Sequence, residues 1–270
     1  MATNEAERQR WNDEAWTAGW PKRERLTSEV TPFVLAAAAL RPGERVLDIG
    51  CGGGLTSLAA AGAVGPAGAV VGADVSAPLA GLARSRAREA GVANVGFSVV
   101  DMQTDAVEGA PFDVAMSQFG VMFFDEPVTA FANIRTQLEP GGRLAFACWR
   151  SMAENEWFFG RALAGIVPPP PEPPPGESPT GPFALADPER TAGILEDAGF
   201  ADVRRTPHEL AVDAPADTIV DEAMLGLMGV AAGQLEEARQ AIAAHMRRFE
   251  VGPGLYRFPL AFQIFAASRP

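Results

Sequence analysis

The stretch VLDIGCGGG, Val46 to Gly54, sets a short apolar segment directly before four glycines, with Cys51 among them. Glycine weakens the interior of strands and helices, and it is favoured where the backbone turns sharply or approaches another group closely. Asp48 and the glycines at 50, 52 and 54 follow the spacing DxGxGxG. We therefore expect a strand that ends at Asp48 and a turn into a helix whose backbone amides can approach a ligand.

The composition limits the partners that such a turn could serve. The chain has 270 residues and a formal net charge of -12, and an acidic surface repels nucleic acid and anionic membranes. Residues 1–31 are too charged for a signal peptide, and no apolar run reaches the roughly 18 residues of a membrane span. Two cysteines, Cys51 and Cys148, indicate no disulfide framework. We expect a cytoplasmic protein with a small-molecule partner, no nucleic acid and no metal; the oligomeric state stays open.

Segments of strand type and helix type alternate around the glycine-rich turn. This alternation predicts an α/β fold with a doubly wound parallel sheet, in which ligands bind beyond the carboxyl ends of the strands. Ser76 is the expected N-cap of one helix, with Pro78 in its first turn. The predicted strands are Arg45–Ile49, Ala69–Ala73, Val95–Val100, Phe112–Ser117 and Arg143–Cys148, and the predicted helices are Leu55–Ala63, Ala77–Glu89 and Pro127–Leu138.

The glycine spacing distinguishes two kinds of nucleotide site. A dinucleotide fold requires GxGxxG, but Leu55 stands where the third glycine would follow Gly52, and a start at Gly54 fails as well. The carboxylate of Asp48 lies upstream of the glycines. An acidic group there favours a ligand that is cationic or carries an ammonium group over a pyrophosphate.

The run resembles motif I of class I S-adenosylmethionine-dependent methyltransferases, and four further segments agree in order. They are VVGADVS with Asp74, SVVDMQ with Asp101, FDVAMSQFGVMFF and LEPGGRLAF. The match covers about residues 40–150, and within this class the chain resembles the ubiquinone and menaquinone biosynthesis group. In that group the pattern ADPERTAGILEDAGF, Ala186 to Phe200, corresponds to a late helix before strand six.

The resemblance implies a Rossmann-like, seven-stranded sheet with helices on both faces, together with a helical lid. We divide the chain accordingly into an N-terminal helical cap at 1–40, a cofactor-binding core at 41–150, a Pro-rich lid insertion at 151–185 and a C-terminal completion of the sheet at 186–270. The last unit contains a predicted helical insertion near 213–235. The segment ENEWFFGRALAGIV is a predicted helix inside the Pro-rich lid.

The resemblance also implies which residues bind S-adenosylmethionine and release S-adenosylhomocysteine. Asp74 would accept hydrogen bonds from the ribose hydroxyls, and Asp101 would contact the adenine amine. Cys51 is interpreted as a small filler in the loop, since no neighbouring base lowers its pKa. The expected cofactor-binding residues are Asp48, Gly50, Cys51, Gly52, Gly54, Asp74, Val75, Ser76, Asp101, Met102, Gln103, Ser117, Gln118 and Phe119.

The acceptor side is predicted from apolar and aromatic residues that leave strands four and five or belong to the cap. Trp11, Trp16 and Trp20 fit either hydrophobic packing or a wall of the cofactor cleft, and the pair Met224 and Met228 fits either core or an acceptor pocket. No catalytic base is assigned; His208, Glu154 and Asp125 are the candidates that could fold against the cleft. The expected acceptor-binding residues are Trp16, Trp20, Phe119, Met122, Phe123 and Trp149.

These patterns predict an enzyme that transfers the methyl group of S-adenosylmethionine to a small, largely apolar or aromatic acceptor at O, C or N. Two alternatives stay open. One is a protein that binds the cofactor without turnover, and the other is an aminopropyltransferase that uses the decarboxylated cofactor. The apolar segment SQFGVMFF argues against the second, because a polyamine acceptor would require a cluster of acids.

Overall fold

The computed structural model describes residues 5–168, 179–215, 218 and 222–270. The residues at 169–178, the centre of the predicted Pro-rich lid, lie outside the described part of the chain. The strands are β1 Arg45–Ile49, β2 Ala69–Asp74, β3 Val95–Val99, β4 Phe112–Gln118, β5 Leu138–Trp149, β6 Ala201–Pro215, β7 Glu250–Gly252 and β8 Leu255–Ser268. The α-helices are α1 Glu5–Trp11, α2 Glu14–Ala18, α3 Trp20–Thr27, α4 Thr31–Ala38, α5 Leu55–Val64, α6 Ala77–Glu89, α7 Pro127–Thr136, α8 Pro188–Asp197, α9 Glu222–Leu227 and α10 Leu235–Met246.

The strands form one sheet in the order β3-β2-β1-β4-β5-β8-β6, and the short strand β7 pairs with β8 outside this path. The first five strands run parallel, whereas β8 pairs antiparallel with both β5 and β6. The predicted seven-stranded, doubly wound sheet is confirmed for the described residues. The carboxyl ends of β1, β2, β3 and β4 therefore share one edge of the sheet, where loops from distant parts of the chain meet.

Local sequence explains several of the element boundaries. Ser76 caps α6 as expected, because its hydroxyl accepts the Leu79 N–H at 3.3 Å and Pro78 occupies the first turn. Helix α7 ends at Thr136, earlier than predicted, and β5 begins at Leu138 because that residue already pairs with Phe112. The sheet is covered by apolar side chains that are fully buried, among them Phe131 of α7 and Phe146 of β5.

The predicted helix in ENEWFFGRALAGIV is wrong: only a 3-10 turn forms, over Phe159–Leu163. The cause is Asn155, a buried side chain that binds the backbone of β8 instead of supporting a helix. Its amide group donates to the Ala261 carbonyl at 2.9 Å, and its oxygen accepts the Ala261 N–H at 2.9 Å and the Trp157 indole N–H at 3.1 Å. The segment is thereby held as a loop against the sheet.

The C-terminal part departs from the prediction at the start of the insertion expected near 213–235. Strand β6 continues through Pro215, and helix α9 begins at Glu222. His208, expected just before a strand, lies within β6. None of the helices in the described residues has both the length and the apolar character needed to cross a bilayer.

Candidate functional site

The glycine-rich loop follows β1 as predicted, but its missing side chains leave room mainly for other parts of the protein. Gly50, Gly52 and Gly54 have φ angles of +65°, +53° and +83°, a region that favours glycine. A Cβ added to Gly50 would lie 2.6 Å from the Cα of Gly120, and one on Gly52 would lie 2.6 Å from the Trp20 indole. The sequence predicts that this loop approaches a ligand, and the structure adds these close contacts within the protein. The backbone of Gly50 and Cys51 faces the cavity described below.

Asp48 is fully buried at the base of the loop. Its Oδ2 accepts hydrogen bonds from the hydroxyls of Thr56 at 2.5 Å and Ser57 at 2.6 Å. Its Oδ1 is buried and has no hydrogen-bond partner in the described part of the chain. Burial raises the pKa of Asp48 to about 6, partly offset by the two hydroxyl hydrogen bonds. Since Asp48 does not face the cavity described below, it supports the glycine-rich loop from behind.

Asp74, at the end of β2, joins two of the loops at this edge of the sheet. One oxygen accepts the Gly52 N–H at 2.7 Å, and the other accepts the Ser76 N–H at 2.8 Å. Burial raises the pKa of Asp74, and these amide hydrogen bonds work in the opposite direction. Asp74 and Val75 both face the cavity, while Ser76 is buried as a helix cap.

Asp101 occupies the loop that follows β3. Its Oδ1 accepts the Gln103 N–H at 2.9 Å, and its Oδ2 lies 3.6 Å from the guanidinium of Arg8 in α1. Asp101 and Met102 face the cavity. Gln103 does not line it: this buried side chain accepts the Glu126 N–H at 2.9 Å and so supports the loop from behind.

The end of β4 holds two polar residues with structural partners. The Ser117 hydroxyl donates to the Ile49 carbonyl at 2.7 Å, which joins β4 to the end of β1, and it does not face the cavity. The Gln118 oxygen accepts the Thr31 hydroxyl at 2.9 Å, and its amide nitrogen donates to the Thr27 carbonyl at 3.0 Å. Gln118 faces the cavity and connects it to the helices at the N-terminus.

Phe119 is held in a strained conformation beside Gln118. Its φ of +62° is rare for a bulky residue, and such outliers concentrate at ligand sites. The ring stacks on Trp149, with 4.0 Å between centroids and 13° between planes. The two rings form an apolar wall where strands four and five end.

One cavity of about 270 Å³ joins the loops after β1, β2 and β3 to this aromatic wall. The volume lies just below the range for small-molecule sites, which begins at about 300 Å³. All six residues expected at the acceptor face it: Trp16, Trp20, Phe119, Met122, Phe123 and Trp149. Of the expected cofactor residues, Asp48, Gly52, Gly54, Ser76, Gln103 and Ser117 do not face it and support those that do.

Both insertions contribute to the far end of the cavity. Trp157, Phe158 and Phe159 come from the first, and Thr218 and Met224 come from the second. Met224 thus faces the cavity, while its neighbours Leu225 and Met228 pack into the core. The side chain of Leu227 lies outside the described residues. We define the acceptor end as the cavity residues Phe119, Trp149, Trp157, Phe158, Phe159, Thr218 and Met224.

The structure brings none of the three candidate bases to the cavity. The His208 ring stacks on Phe262, with 5.2 Å between centroids, and burial lowers the pKa of His208. Glu154 binds Ser151 and Arg150 at the surface, and the Ser151 hydrogen bond lowers the pKa of Glu154. Asp125 does not face the cavity either. Cys51 does, but burial raises the pKa of the thiol well above its ordinary value, which fits its interpretation as a filler.

Sequence reasoning missed five cavity residues of the cap helices, which we define as α1, α2 and α3: Glu7, Arg23, Glu24, Leu26 and Thr27. Trp11, for which the sequence left packing and a wall of the cofactor cleft open, also faces the cavity. Glu7 is buried, accepts the Trp11 indole N–H at 2.9 Å, and has a pKa that burial raises. Asn12 fixes the cap helices by donating to the Val75 carbonyl at 3.1 Å and accepting the Ala77 N–H at 3.0 Å. The only available signal was the spacing of the tryptophans, because these residues belong to no motif.

Residues 46–142 match the family described as Methyltransferase domain. Among curated relatives, the aklanonic acid methyltransferase DauC of Streptomyces sp. strain C5 is 40% identical over 38% of this chain and 47% of its own length. Nocamycin O-methyltransferase of Saccharothrix syringae is 30% identical over 65% of this chain and 66% of its own length. The chain thus spans about half to two thirds of the length of these relatives.

The ubiquinone/menaquinone biosynthesis C-methyltransferase UbiE of Ectopseudomonas mendocina is 36% identical over 42% of this chain and 44% of its own length. This confirms the resemblance to that group. The crystal structure of the YcgJ protein from Bacillus subtilis has a TM-score of 0.60 at 16% identity, over 89% of this chain and 98% of that one. At this identity the likeness shows the fold alone.

The described residues fit S-adenosylmethionine, the cofactor of this family. The cofactor carries a sulfonium and an ammonium group, and the site holds buried carboxylates at Asp48, Asp74 and Asp101. Of these, Asp74 and Asp101 face the cavity. A cavity with carboxylates at one end and aromatic rings at the other suits a cationic cofactor beside an apolar partner.

Proposed function

We propose, from the premise that the chain carries a class I S-adenosylmethionine-dependent methyltransferase domain, that the protein methylates a small, largely apolar or aromatic molecule. The observation that carries this proposal is the single cavity that joins Asp74 and Asp101 to the rings of Phe119 and Trp149. A donor held at one end and a flat acceptor at the other would share one enclosed space. The named relatives, which include an aklanonic acid methyltransferase and a nocamycin O-methyltransferase, support a small-molecule acceptor.

The residues that would hold the cofactor follow from the resemblance. Asp74 would accept hydrogen bonds from the ribose hydroxyls and Asp101 from the adenine amine. The loop at Gly50 and Cys51 would lie along the methionine portion, while its amides stay bound to the Ala73 carbonyl at 2.8 Å and 3.2 Å. When bound, S-adenosylmethionine supplies an electrophilic methyl group on a positively charged sulfur. The residues around the cofactor would hold the acceptor atom in line with the carbon–sulfur bond, so that the methyl group could pass to it and the bonding electron pair could stay on sulfur.

The main contribution of the protein to the rate would be to position the cofactor and the acceptor relative to each other. Holding the two reactants in line at about 3–3.5 Å can supply several kcal/mol of barrier reduction without a strong base. The stacked rings of Phe119 and Trp149 present a flat surface on which a planar acceptor can lie. The surrounding aromatic residues would exclude water, which strengthens electrostatic interactions with the sulfonium.

The two alternatives make different demands on the acceptor end. An aminopropyltransferase would require carboxylates there for a polyamine, and among the described residues of the acceptor end there are none. A protein that binds the cofactor without turnover would still bind S-adenosylmethionine but would methylate nothing. The nocamycin relative makes oxygen the first acceptor atom to test.

The experiment is a product assay with S-adenosylmethionine that carries a labelled methyl group. Purified protein is incubated with a panel of phenols, hydroxyquinones, aromatic carboxylic acids and aliphatic amines, and products are identified by mass spectrometry. We expect label in a planar, apolar compound and none in the amines. Cofactor binding by calorimetry with no labelled product across the panel and in bacterial extracts would favour the binding protein.

A further inference from the structure

The tryptophan of α3 lies at the cofactor end of the cavity, apart from the acceptor end. Trp20 faces the cavity, and its indole carbons lie 2.6 Å to 3.4 Å from the position of a Cβ on Gly52. Its ring therefore rests directly on the glycine-rich loop. Trp149, which shared the same sequence expectation, instead stacks on Phe119 at the ends of strands four and five.

The Trp20 ring is fixed in place by a chain of polar contacts. Its indole N–H donates to Glu24 at 3.3 Å, and Glu24 in turn pairs with Arg86 at 2.7 Å. Arg86 also donates to the carbonyl of Gly53 at 2.8 Å, which returns to the loop. Held in this way, the ring loses little further conformational freedom when a ligand binds beside it.

The surroundings of Trp20 include one buried acid, Asp74, that accepts only backbone amides among the described residues. The other three carboxylates of the cavity, those of Glu7, Glu24 and Asp101, pair with arginines. Arg23 is the cavity residue that carries a guanidinium. That guanidinium lies over the ring of Trp16, 3.8 Å from its centroid, so the face of Trp16 beneath it is already in contact with a cation. Indole faces attract cations through the negative potential of their π-systems, and tryptophan does so most strongly.

We propose that Trp20 is a specificity-determining residue that recognises the positive charge of the cofactor. This inference rests on the proposed function and assigns Trp20 to the cofactor rather than to the acceptor. The indole stabilises the sulfonium of S-adenosylmethionine by a cation–π interaction and stabilises the neutral thioether S-adenosylhomocysteine much less. Since the product lacks the charge, the same residue favours product release after each transfer.

The test compares the dissociation constants of the charged cofactor and the neutral product by calorimetry. Trp20→Leu should raise the dissociation constant of S-adenosylmethionine about 5- to 30-fold, the range of a partly desolvated cation–π contact. It should raise that of S-adenosylhomocysteine less than about 3-fold. Trp20→Phe keeps an aromatic face and should fall between wild type and Trp20→Leu. Phe158→Leu, the same kind of truncation at the acceptor end, should leave both constants near wild type.

The outcomes separate this inference from the proposed function. If Trp20→Leu raises both dissociation constants equally, or raises neither, the role of Trp20 is overturned while the proposed function stands. Failure of the wild type to bind either ligand contradicts the function itself. If Trp20→Leu does not fold, as judged by circular dichroism, Trp20→Phe decides: an unchanged ratio of the two constants overturns the proposal.

Discussion

The cofactor end and the acceptor end of the cavity are built on different principles. At the cofactor end, carboxylates are held by backbone amides of neighbouring loops, as Asp74 is by Gly52 and Ser76. At the acceptor end, aromatic rings hold one another, as Phe119 and Trp149 do, and the residues come from segments far apart in the chain. The first construction fixes charges in short motifs, and the second fixes only an apolar surface.

This difference predicts which of the two ends tolerates amino-acid substitutions. Loops that pack backbone against backbone cannot accept even one added carbon atom, whereas an aromatic wall can exchange one apolar side chain for another at moderate cost.

The contact between Gly50 and Gly120 gives the largest expected loss of stability. In Gly50→Ala the new Cβ would lie 2.6 Å from the Gly120 Cα, and the φ of +65° is unfavourable for alanine. We expect the free energy of unfolding to fall by about 2–4 kcal/mol, measured by denaturant titration. The matched control is Gly81→Ala in α6, where nothing lies within 4 Å of the added Cβ.

Because alanine favours helices, Gly81→Ala should raise stability by about 0.5–1 kcal/mol. Similar changes in the two variants would contradict the assignment of the Gly50 loop as a close backbone packing site. The comparison separates two uses of glycine, since of these two positions only Gly50 approaches the backbone of another segment.

The second prediction concerns the charge at the cofactor end. Asp74→Ala removes an acceptor and leaves the Gly52 and Ser76 amides without their partner, so we expect the cofactor dissociation constant to rise about 10- to 100-fold. Calorimetry with S-adenosylhomocysteine measures it. Trp149→Leu at the acceptor end serves as the control and should leave this constant near wild type.

If Asp74→Ala lost less affinity for S-adenosylhomocysteine than Trp149→Leu, the proposed division of the cavity would be contradicted. Once an acceptor is identified, its Michaelis constant should rise more in Trp149→Leu than in Asp74→Ala. Loss of the Trp149 ring would remove about 0.5–1.5 kcal/mol of stacking, or about a 2- to 10-fold change.

The contrast between the two ends also explains what the sequence could predict. The order of strands and helices, the glycine loop, and the positions of Asp74 and Asp101 were predictable because each depends on neighbours within a few residues. Asn155 was not, since its partner Ala261 lies across the sheet and no local pattern encodes that contact. Glu7 was missed for the same reason: α1 is held at the cavity by contacts with distant segments, such as those of Asn12 with the turn after β2 and of Arg8 with Asp101.

The last prediction uses the burial of Asp48 at the base of the loop. Burial raises the pKa of this carboxyl to about 6 in the folded protein, whereas an unfolded chain has an ordinary pKa of about 3.9. The folded state therefore binds the proton more tightly, and its stability falls as pH rises from about 4 to 6.

In Asp48→Asn this loss should disappear. The difference in unfolding free energy between variant and wild type should shift in favour of the variant by about 1–2 kcal/mol between pH 4 and pH 7, as followed by urea titration at several pH values. The change with pH is the readout, because the cost of burying the new amide does not depend on pH. Parallel stability curves would contradict a protonated Asp48 in the folded state. The reason for a raised pKa is physical: the side chain is fully buried, which disfavours its charged form, and the nearby charge of Asp74 adds to the shift.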